Sequence, residues 1–243
     1  MPVIIVASHH KAGSTYAKNC FFEVATILGY RFEFYGFGEL PDLISSSFQK
    51  DTILCFSHAR LDDLVALVSR VGLDSCKLVH IIRDPRTLIV SATKYHLDSD
   101  ERWLSQPMKK YGGLSYQQFL RTLPSYPDQL IFEMTNGTRG TLADMSRIYM
   151  ERIATITIRL EDISWDVSGW THQHLSEHLV DDSLLLGSIK SVFLKHSLFS
   201  LQTPPRHSRT MVSPSFKDDL TGNVQQTYRN LFGELHLKMG YND

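Results

Sequence analysis

Residues 3–16 read Val-Ile-Ile-Val-Ala-Ser-His-His-Lys-Ala-Gly-Ser-Thr-Tyr, an apolar run that leads into a polar turn containing a glycine. The continuous apolar run Val3–Ala7 is typical of a strand that is buried on both faces of a sheet. A helical pattern follows from Ser14 to about Leu28, where Gly29 ends it. A strand, a turn and a helix in this order open a βαβ unit, the building block of a parallel sheet.

The alternation of strands and helices continues along the first half of the chain. Arg31–Tyr35, Thr52–Phe56 and Leu78–Ile82 are predicted strands. Leu61–Val71 has apolar residues at helical spacing, and a further helix is predicted from Pro85 to His96. The pattern predicts an α/β fold with three layers, α/β/α, around a central parallel sheet.

The second half is predicted to be mainly helical. The expected elements are helices over Ser115–Leu123, Gln129–Glu151, Trp170–Leu179, Ser183–Leu194 and Asp219–Met239, a strand over Ile153–Ile158 and a loop over Ser200–Phe216. The sequence shows no internal repeat, no low-complexity tract and no convincing linker. We therefore expect a single domain over residues 1–243.

Composition excludes some classes of protein. The net charge is −1, with 42% hydrophobic and 21% charged residues, which argues against a general nucleic-acid binder because such a protein needs a strong positive field. The three cysteines have no paired spacing, which favours reduced thiols. Neither a secretory leader nor an apolar run of roughly 18–20 residues is apparent. We expect a cytoplasmic protein that has no membrane partner.

Polar residues follow three of the predicted strands, after Ala7, after Phe56 and after Ile82. In open α/β sheets, ligands bind at the carboxyl ends of the strands. The pattern therefore predicts that these polar residues converge on one crevice.

The turn His9–Tyr16 has the composition of a P-loop-like phosphate-binding turn. A helix N-terminus offers N–H groups without helical partners and a partial positive charge. Gly13 allows close approach of the backbone, Ser14 and Thr15 add hydroxyls, and Lys11 adds a charge. The alternative is an ordinary βα turn capped by Ser14. Lysine precedes the glycine here, whereas the nucleoside triphosphate loop has lysine after its second glycine.

A second cationic motif follows the strand that ends at Ile82. Arg83 stands at the carboxyl end of that strand, and Ser91 lies eight residues further on, in the next helix. A guanidinium and a hydroxyl that are aimed at one spot suit a phosphate monoester. The alternative is an Arg–Asp pair in a turn, with an incidental serine in the helix.

The two motifs together resemble those of the PAPS (3′-phosphoadenosine 5′-phosphosulfate)-dependent sulfotransferases. Lys11–Tyr16 resembles their 5′-phosphosulfate loop, usually Pro-Lys-Ser-Gly-Thr-Thr-Trp, and Arg83–Ser91 looks like their 3′-phosphate motif. Arg159–Asp162 is similar to their Arg-Tyr-Glu-Asp element, with Leu160 in place of the tyrosine. His207–Thr221 resembles their C-terminal segment, although its glycines are missing.

The resemblance implies a role for each matching residue. Lys11 would stabilise the departing bisphosphate, PAP, and Tyr16 would stack on its adenine. The residues expected to bind PAPS or PAP are Lys11, Ala12, Gly13, Ser14, Thr15 and Tyr16 at the 5′ end, and Arg83, Ser91, Arg209, Thr210 and Met211 at the 3′ end. The acceptor is expected to be the hydroxyl or amine of a small molecule.

Two residues compete for the role of general base. His58 follows the strand Thr52–Phe56, and a neutral imidazole suits proton transfer near pH 7. Its segment, residues 56–60, resembles Lys-Thr-His-Leu-Pro of cytosolic sulfotransferases, with Phe56 in place of the lysine. The alternative is Glu33, because carbohydrate sulfotransferases often use a glutamate shortly after the first helix.

Two further expectations complete the interpretation. A non-catalytic module that binds PAP as a sensor or scaffold is the alternative from outside the enzymes. It stays open because the sequence departs from the sulfotransferase pattern at Phe56, Leu160 and Met211. No carboxylate cluster calls for a metal ion, so none is expected.

Overall fold

The computed structural model describes residues 3–36, 51–72, 75–164, 168–197 and 216–242. The chain forms two compact units, one made of Met1–Arg83 and Ala143–Pro204, the other of Asp84–Leu142 and Pro205–Asp243. The expectation of a single sulfotransferase domain stays a prediction. In the part of the chain described, no helix is both long and apolar enough to cross a membrane.

The first unit contains a five-stranded parallel sheet, which confirms the predicted fold class. Its strands are β1 (Val3–Ala7), β2 (Arg31–Tyr35), β3 (Thr52–Phe56), β4 (Cys76–Ile82) and β5 (Ile156–Arg159), in the order β2-β3-β1-β4-β5. All neighbours pair in parallel. The first three strands have the predicted bounds.

The last two strands correct the predicted bounds. β4 begins two residues earlier than expected, because Cys76 pairs with Val3 of β1. β5 begins three residues later than expected. Before it, Thr155 donates its backbone N–H to the carbonyl of Leu78 (2.9 Å) and bonds the same residue through its hydroxyl.

Helices cover the sheet on both faces. The helices of this unit are α1 (Ser14–Leu28), α2 (Leu61–Val71), α7 (Leu160–Ser164), α8 (Trp170–Leu179) and α9 (Ser183–His196), together with the second part of α6 (Thr138–Glu151). One face packs against α2 and α6 through alternate strand residues, including Val3, Ile5, Ala7, Leu54, Phe56 and Leu78 on the strands and Leu64, Leu67 and Ile148 on the helices. The opposite side chains, such as Ile4, Val6 and Ile53, are equally buried. α1 contacts β2 and β3 there, and α9 packs on α1.

The second unit is helical. It contains α3 (Pro85–Asp98), α4 (Tyr116–Thr122), α5 (Tyr126–Thr135), α10 (Phe216–Asp219), α11 (Gly222–Phe232) and α12 (Leu235–Lys238), with 3₁₀ turns at Arg102–Ser105 and Lys109–Tyr111. Pro85 begins α3 as predicted, and Asp84 caps it by accepting from the N–H of Arg86 (2.9 Å). α4 begins after Ser115, which forms a capping box with Gln118.

Two long helices predicted from the sequence are wrong, because each is interrupted. Gln129–Glu151 divides at Asn136–Gly137, where the N–H of Gly137 and the hydroxyl of Thr138 both donate to the carbonyl of Glu133. Asp219–Met239 divides twice, after Asp219 and after Phe232, where Gly233 caps α11. The predicted loop Ser200–Phe216 lies outside the described residues except Phe216, which begins α10.

The second unit contains a buried polar cluster. Nδ1 of His96 lies 2.9 Å from Oε2 of Glu133, and Tyr116 donates its hydroxyl to the same oxygen (2.8 Å). The side chains of His96 and Glu133 are almost fully buried. Gly137 contacts this cluster so closely that an added methyl group would overlap Oε1 of Glu133 and the hydroxyl of Tyr116.

We expect Gly137→Ala to destabilise the protein by about 1–3 kcal/mol, because the methyl group would displace a buried carboxylate from its hydrogen bonds. The matched control is Gly140→Ala, in the same region of the chain, where a methyl group meets no atom within 4 Å. For Gly140→Ala we expect the free energy of unfolding to rise by about 0.5–1 kcal/mol, because alanine has the higher helix propensity. Urea unfolding of both variants measures the two changes. Equal effects of the two substitutions would contradict the steric explanation.

Candidate functional site

The turn between β1 and α1 has an unusual backbone. Lys11 has φ 61° and Gly13 has φ 88°, both in the left-handed region that side chains usually avoid. The N–H of Ala12 donates to the carbonyl of His9 (2.9 Å), and the first helical bond runs from Ala17 to Gly13 (2.8 Å). A non-glycine residue keeps such a strained conformation only where the surrounding structure holds it in place, and residues of this kind concentrate at functional sites.

The N-terminus of α1 is suited to an anion. Gly13, its N-cap, provides no side-chain hydrogen bond, and the first turn contains no acidic residue. The first N–H groups of a helix have no partner within that helix and carry a partial positive charge. Ser14 and Thr15 place their hydroxyls in the same turn, with Thr15 exposed. A phosphate group matches this set of donors.

Leu160 packs directly against Gly13. A Cβ built on Gly13 would lie 2.6 Å from Cδ1 of Leu160, whose side chain is buried at the end of β5. The close approach therefore requires glycine for steric reasons as well as for its φ angle. Leu160 stands where the sulfotransferase resemblance has tyrosine, and here its side chain supports the turn.

Arg83 also supports the turn. It follows β4, is 3% exposed, and donates from its guanidinium to the carbonyl of Lys11 (2.7 Å). The next residue, Asp84, pairs with Arg86 (2.8 Å). Arg83 thus links the end of β4 to the strained residue of the β1–α1 turn.

The ends of β1 and β3 are joined by hydrogen bonds. Ser8 donates both its N–H (2.9 Å) and its hydroxyl (2.6 Å) to the carbonyl of Phe56, and the N–H of Ala59 donates to the carbonyl of Ser8 (3.0 Å). These bonds bring His10 and His58 together, with stacked rings 5.4 Å apart and an interplanar angle of 19°. The predicted convergence of residues after β1, β3 and β4 is confirmed within this unit.

His58 is half-buried at the end of β3. Its Nδ1 lies 2.9 Å from the hydroxyl oxygen of Ser57, and that hydroxyl lies 3.2 Å from the carbonyl oxygen of Tyr35. Phe56, which replaces the lysine of the resemblance, is buried in the core and stacks on Tyr35. The imidazole of His58 therefore lies at the carboxyl end of β3, and the side chain of Phe56 packs in the core.

A second pair of histidines lies in the interior. Nε2 of His9 is 2.9 Å from Nε2 of His80, and both side chains are buried. Burial lowers the pKa of His80 to about 3. Burial, followed by the proximity of His80 and then of His58, lowers the pKa of His9 well below its ordinary value. Both rings are therefore neutral at pH 7, with one donating to the other.

Glu33 lies in the middle of β2, at the edge of the sheet. Its carboxylate pairs with Arg31 (2.6 Å) and accepts a hydrogen bond from the hydroxyl of Tyr35. These contacts occupy both oxygens of the carboxylate.

The other predicted site residues have different positions. Ala12 is fully buried, and Tyr16 donates its hydroxyl to the carbonyl of Phe193 in α9 (3.2 Å). Ser91 is buried in α3, which belongs to the second unit, so its pairing with Arg83 stays a prediction. Arg209, Thr210 and Met211 lie outside the described residues.

Sequence reasoning assigned no role to several residues that make this site. Ser57, His10 and the His9–His80 pair were not singled out, and Leu160 was identified only as a departure from the sulfotransferase pattern. His10 and Ser57 each follow a buried strand, which is the signal that pointed to His58. The order of residues in the sequence does not show that His10 stacks on His58 or that Ser57 bonds to it; the structure does.

Comparison with known proteins supports the fold. No family model matches the sequence, and no curated protein matches it. Among solved structures, the chain is similar to mouse sulfotransferase SULT7A1 complexed with PAP, at a TM-score of 0.59 and 13% sequence identity. The match covers 100% of this chain and 86% of that chain. The central five-stranded parallel sheet with its flanking helices is thus that of a sulfotransferase-like fold.

We expect Gly13→Ala and Leu160→Ala to be coupled. Gly13→Ala should be destabilising through its φ angle and the overlap with Leu160, and Leu160→Ala by about 2–5 kcal/mol through a cavity. The double variant should lose about 1–2 kcal/mol less unfolding free energy than the two single variants lose together, because removing the leucine removes the overlap. Urea unfolding of the four proteins measures the coupling. Additive effects would show that the two residues do not press on each other.

We expect acid to destabilise the protein partly through His80. Between the unfolded pKa of about 6.5 and the folded pKa of about 3, the unfolded chain binds a proton that the folded chain does not. Stability should therefore fall as the pH falls below about 6.5, by up to about 1.4 kcal/mol per pH unit for one such group. His80→Gln should reduce this slope, measured by urea unfolding from pH 7 to pH 4, with pH 8 as the baseline. An unchanged slope would contradict the burial of a neutral His80.

Proposed function

We propose that this chain is a sulfotransferase that moves a sulfonate group from PAPS to the hydroxyl or amine of a small molecule. The observation that carries the proposal is the strained turn Lys11–Gly13, which is followed directly by a helix N-terminus suited to an anion and whose backbone is bound by Arg83. The sulfotransferase-like fold supports it.

The donor site is proposed at the β1–α1 turn. The N–H groups at the start of α1, with the hydroxyls of Ser14 and Thr15, would hold the 5′-phosphate. Arg83, whose guanidinium donates to the carbonyl of Lys11 (2.7 Å), is proposed to bind the 3′-phosphate through charge-assisted hydrogen bonds. Ser91 and the segment Arg209–Met211 are proposed to complete the 3′ site, and Tyr16 to contact the adenine.

The transfer requires three things of the protein. When bound, PAPS would supply the sulfonate: the bond from sulfur to the bridging oxygen of the 5′-phosphate breaks, and a bond from sulfur to the oxygen or nitrogen of the acceptor forms. The acceptor must be held in line with the breaking bond. Lys11 would stabilise the charge that develops on the departing bisphosphate. His58 would take the proton of the acceptor.

His58 is preferred to Glu33 as the base. His58 lies at the carboxyl end of β3, is half-buried, and stacks on His10 of the phosphate turn. Glu33 lies in mid-strand, and its carboxylate is engaged by Arg31 and Tyr35. Both oxygens of Glu33 therefore already have partners, and an acceptor would have to displace one of these partners to reach them. A carbohydrate-type sulfotransferase that uses Glu33 is therefore the second candidate.

The predicted cytoplasmic location and the absence of nucleic-acid and membrane partners belong to the proposal as expectations. A non-catalytic module that binds PAP would share the donor site and lack turnover. The assay below separates it from an enzyme.

We expect release of PAP when the protein is incubated with PAPS and a panel of alcohols, phenols and amines. His58→Gln should lower kcat by about 10²–10⁴-fold, because general-base catalysis is lost, with little change in the affinity for PAP. Lys11→Ala should weaken PAP binding by about 10–100-fold, because a charge-assisted contact is lost. Chromatographic measurement of PAP gives turnover, and calorimetry gives affinity.

Glu33→Gln is the matched comparison, since it also removes a proton acceptor. We expect it to retain turnover. Loss of turnover in Glu33→Gln with activity kept in His58→Gln would favour the carbohydrate-type alternative. Tight binding of PAP without turnover on any acceptor would favour the sensor or scaffold.

A further inference from the structure

Ser57 stands between His58 and the backbone of the neighbouring strand. Its hydroxyl oxygen lies 2.9 Å from Nδ1 of His58 and 3.2 Å from the carbonyl oxygen of Tyr35. Ser57 is 7% exposed, so solvent has little access to these bonds. We infer that Ser57 is a positioning residue that holds the proton of neutral His58 on Nδ1 and leaves Nε2 as the basic nitrogen.

The assignment follows from counting hydrogens. A serine hydroxyl has one hydrogen, and a carbonyl oxygen can only accept. If Ser57 donates to the carbonyl of Tyr35, its oxygen is left to accept from His58, which requires a hydrogen on Nδ1. In the reverse arrangement Ser57 would donate its hydroxyl hydrogen to Nδ1 of His58, and the hydrogen bond to the carbonyl of Tyr35 would be lost. Both contacts are satisfied only by the chain from His58 Nδ1–H to Ser57 Oγ–H to the carbonyl of Tyr35.

The carbonyl of Tyr35 is fixed in place independently. It also accepts the N–H of Ser57 (3.0 Å), which continues the parallel pairing of β2 with β3. Ser57 therefore receives its orientation from the sheet, and it passes that orientation to the imidazole. The arrangement is the one by which a second group usually selects the tautomer of a histidine.

His10 restrains the plane of the same ring. The two imidazoles are stacked at 5.4 Å with an interplanar angle of 19°. His10 belongs to the turn that carries Lys11 and Gly13, so the stacking ties the orientation of His58 to that turn. Ser57 sets which nitrogen is protonated, and His10 limits rotation of the ring out of its plane.

The consequence for catalysis rests on the proposed function. A base must present an unprotonated nitrogen to the hydroxyl or amine that it deprotonates. With its proton on Nδ1, His58 presents Nε2 to an acceptor, and the proton taken there produces an imidazolium that Ser57 still stabilises through Nδ1–H. Loss of Ser57 should affect turnover through His58 while the phosphate turn is unchanged.

Nitrogen NMR of the ¹⁵N-labelled full chain tests the inference without any substrate. In neutral histidine the protonated and unprotonated ring nitrogens have different chemical shifts, and His58 is assigned by its absence from the spectrum of His58→Gln. In water the proton of neutral histidine resides mainly on Nε2, so a protein-imposed Nδ1–H form is distinctive. We expect that form in the wild type at about pH 8.5, which is about two units above the ordinary pKa of histidine.

Two variants complete the test. Ser57→Ala should shift His58 toward the Nε2–H form and lower kcat by about five- to tenfold, the worth of one neutral hydrogen bond, with PAP affinity unchanged. Ser57→Thr keeps the hydroxyl and should keep both the tautomer and kcat. A wild-type His58 that carries its proton on Nε2 would overturn the inference, even if Ser57→Ala did not fold. An unchanged tautomer in folded Ser57→Ala would overturn it as well.

The outcome is separable from that of the proposed function. A chain that shows the Nδ1–H form of His58 and never turns over PAPS would retain the positioning by Ser57 and lose the sulfotransferase proposal. Turnover of PAPS by a chain whose His58 carries its proton on Nε2 would support the sulfotransferase proposal and overturn the positioning role of Ser57.

Discussion

Lys11 and Gly13 hold the chain in two left-handed conformations between β1 and α1, and two contacts support this turn. Leu160 fills the space where a side chain of residue 13 would be, and Arg83 binds the carbonyl of Lys11. The turn lets α1 begin at a glycine that makes no side-chain hydrogen bond to the first N–H groups of the helix, which is where we propose that an anion binds. It also places His10 on the ring of His58. The candidate site depends on this one backbone constraint.

The sheet and its first helices could be predicted because β1 and β3 are short, mainly apolar runs, β2 alternates charged with aromatic residues, and α2 has apolar residues at helical spacing. β1, β2, β3, α1 and α2 have the predicted bounds for this reason. The C-terminal helices could not, because Leu220, Val224, Tyr228 and Phe232 keep a four-residue spacing across a break. The spacing of apolar residues indicates which side chains are buried. It does not show that a helix begins after Thr221 and ends before Gly233.

The site was partly predictable. Residues after three strands were expected to converge, and Lys11, His58 and Arg83 belong to the first unit as that argument requires. The contacts of Arg83 with a backbone carbonyl, of Leu160 with Gly13 and of Ser57 with His58 could not be foreseen. These contacts depend on side-chain orientation across strands, whereas sequence reports only the order of residues. The engagement of Glu33 by Arg31 and Tyr35 is of the same kind.

We propose that the β1–α1 turn and Arg83 bind a nucleotide phosphorylated at both its 5′ and 3′ positions. Calorimetric titration of the full chain with PAP and with 5′-AMP, which lacks the 3′-phosphate, tests it most directly. Each charge-assisted hydrogen bond to the 3′-phosphate contributes about 1.5–3 kcal/mol, so PAP should bind at least about tenfold more tightly than AMP. Equal affinities, or no binding of either nucleotide, would show that the turn and Arg83 do not form a site for the 3′-phosphate.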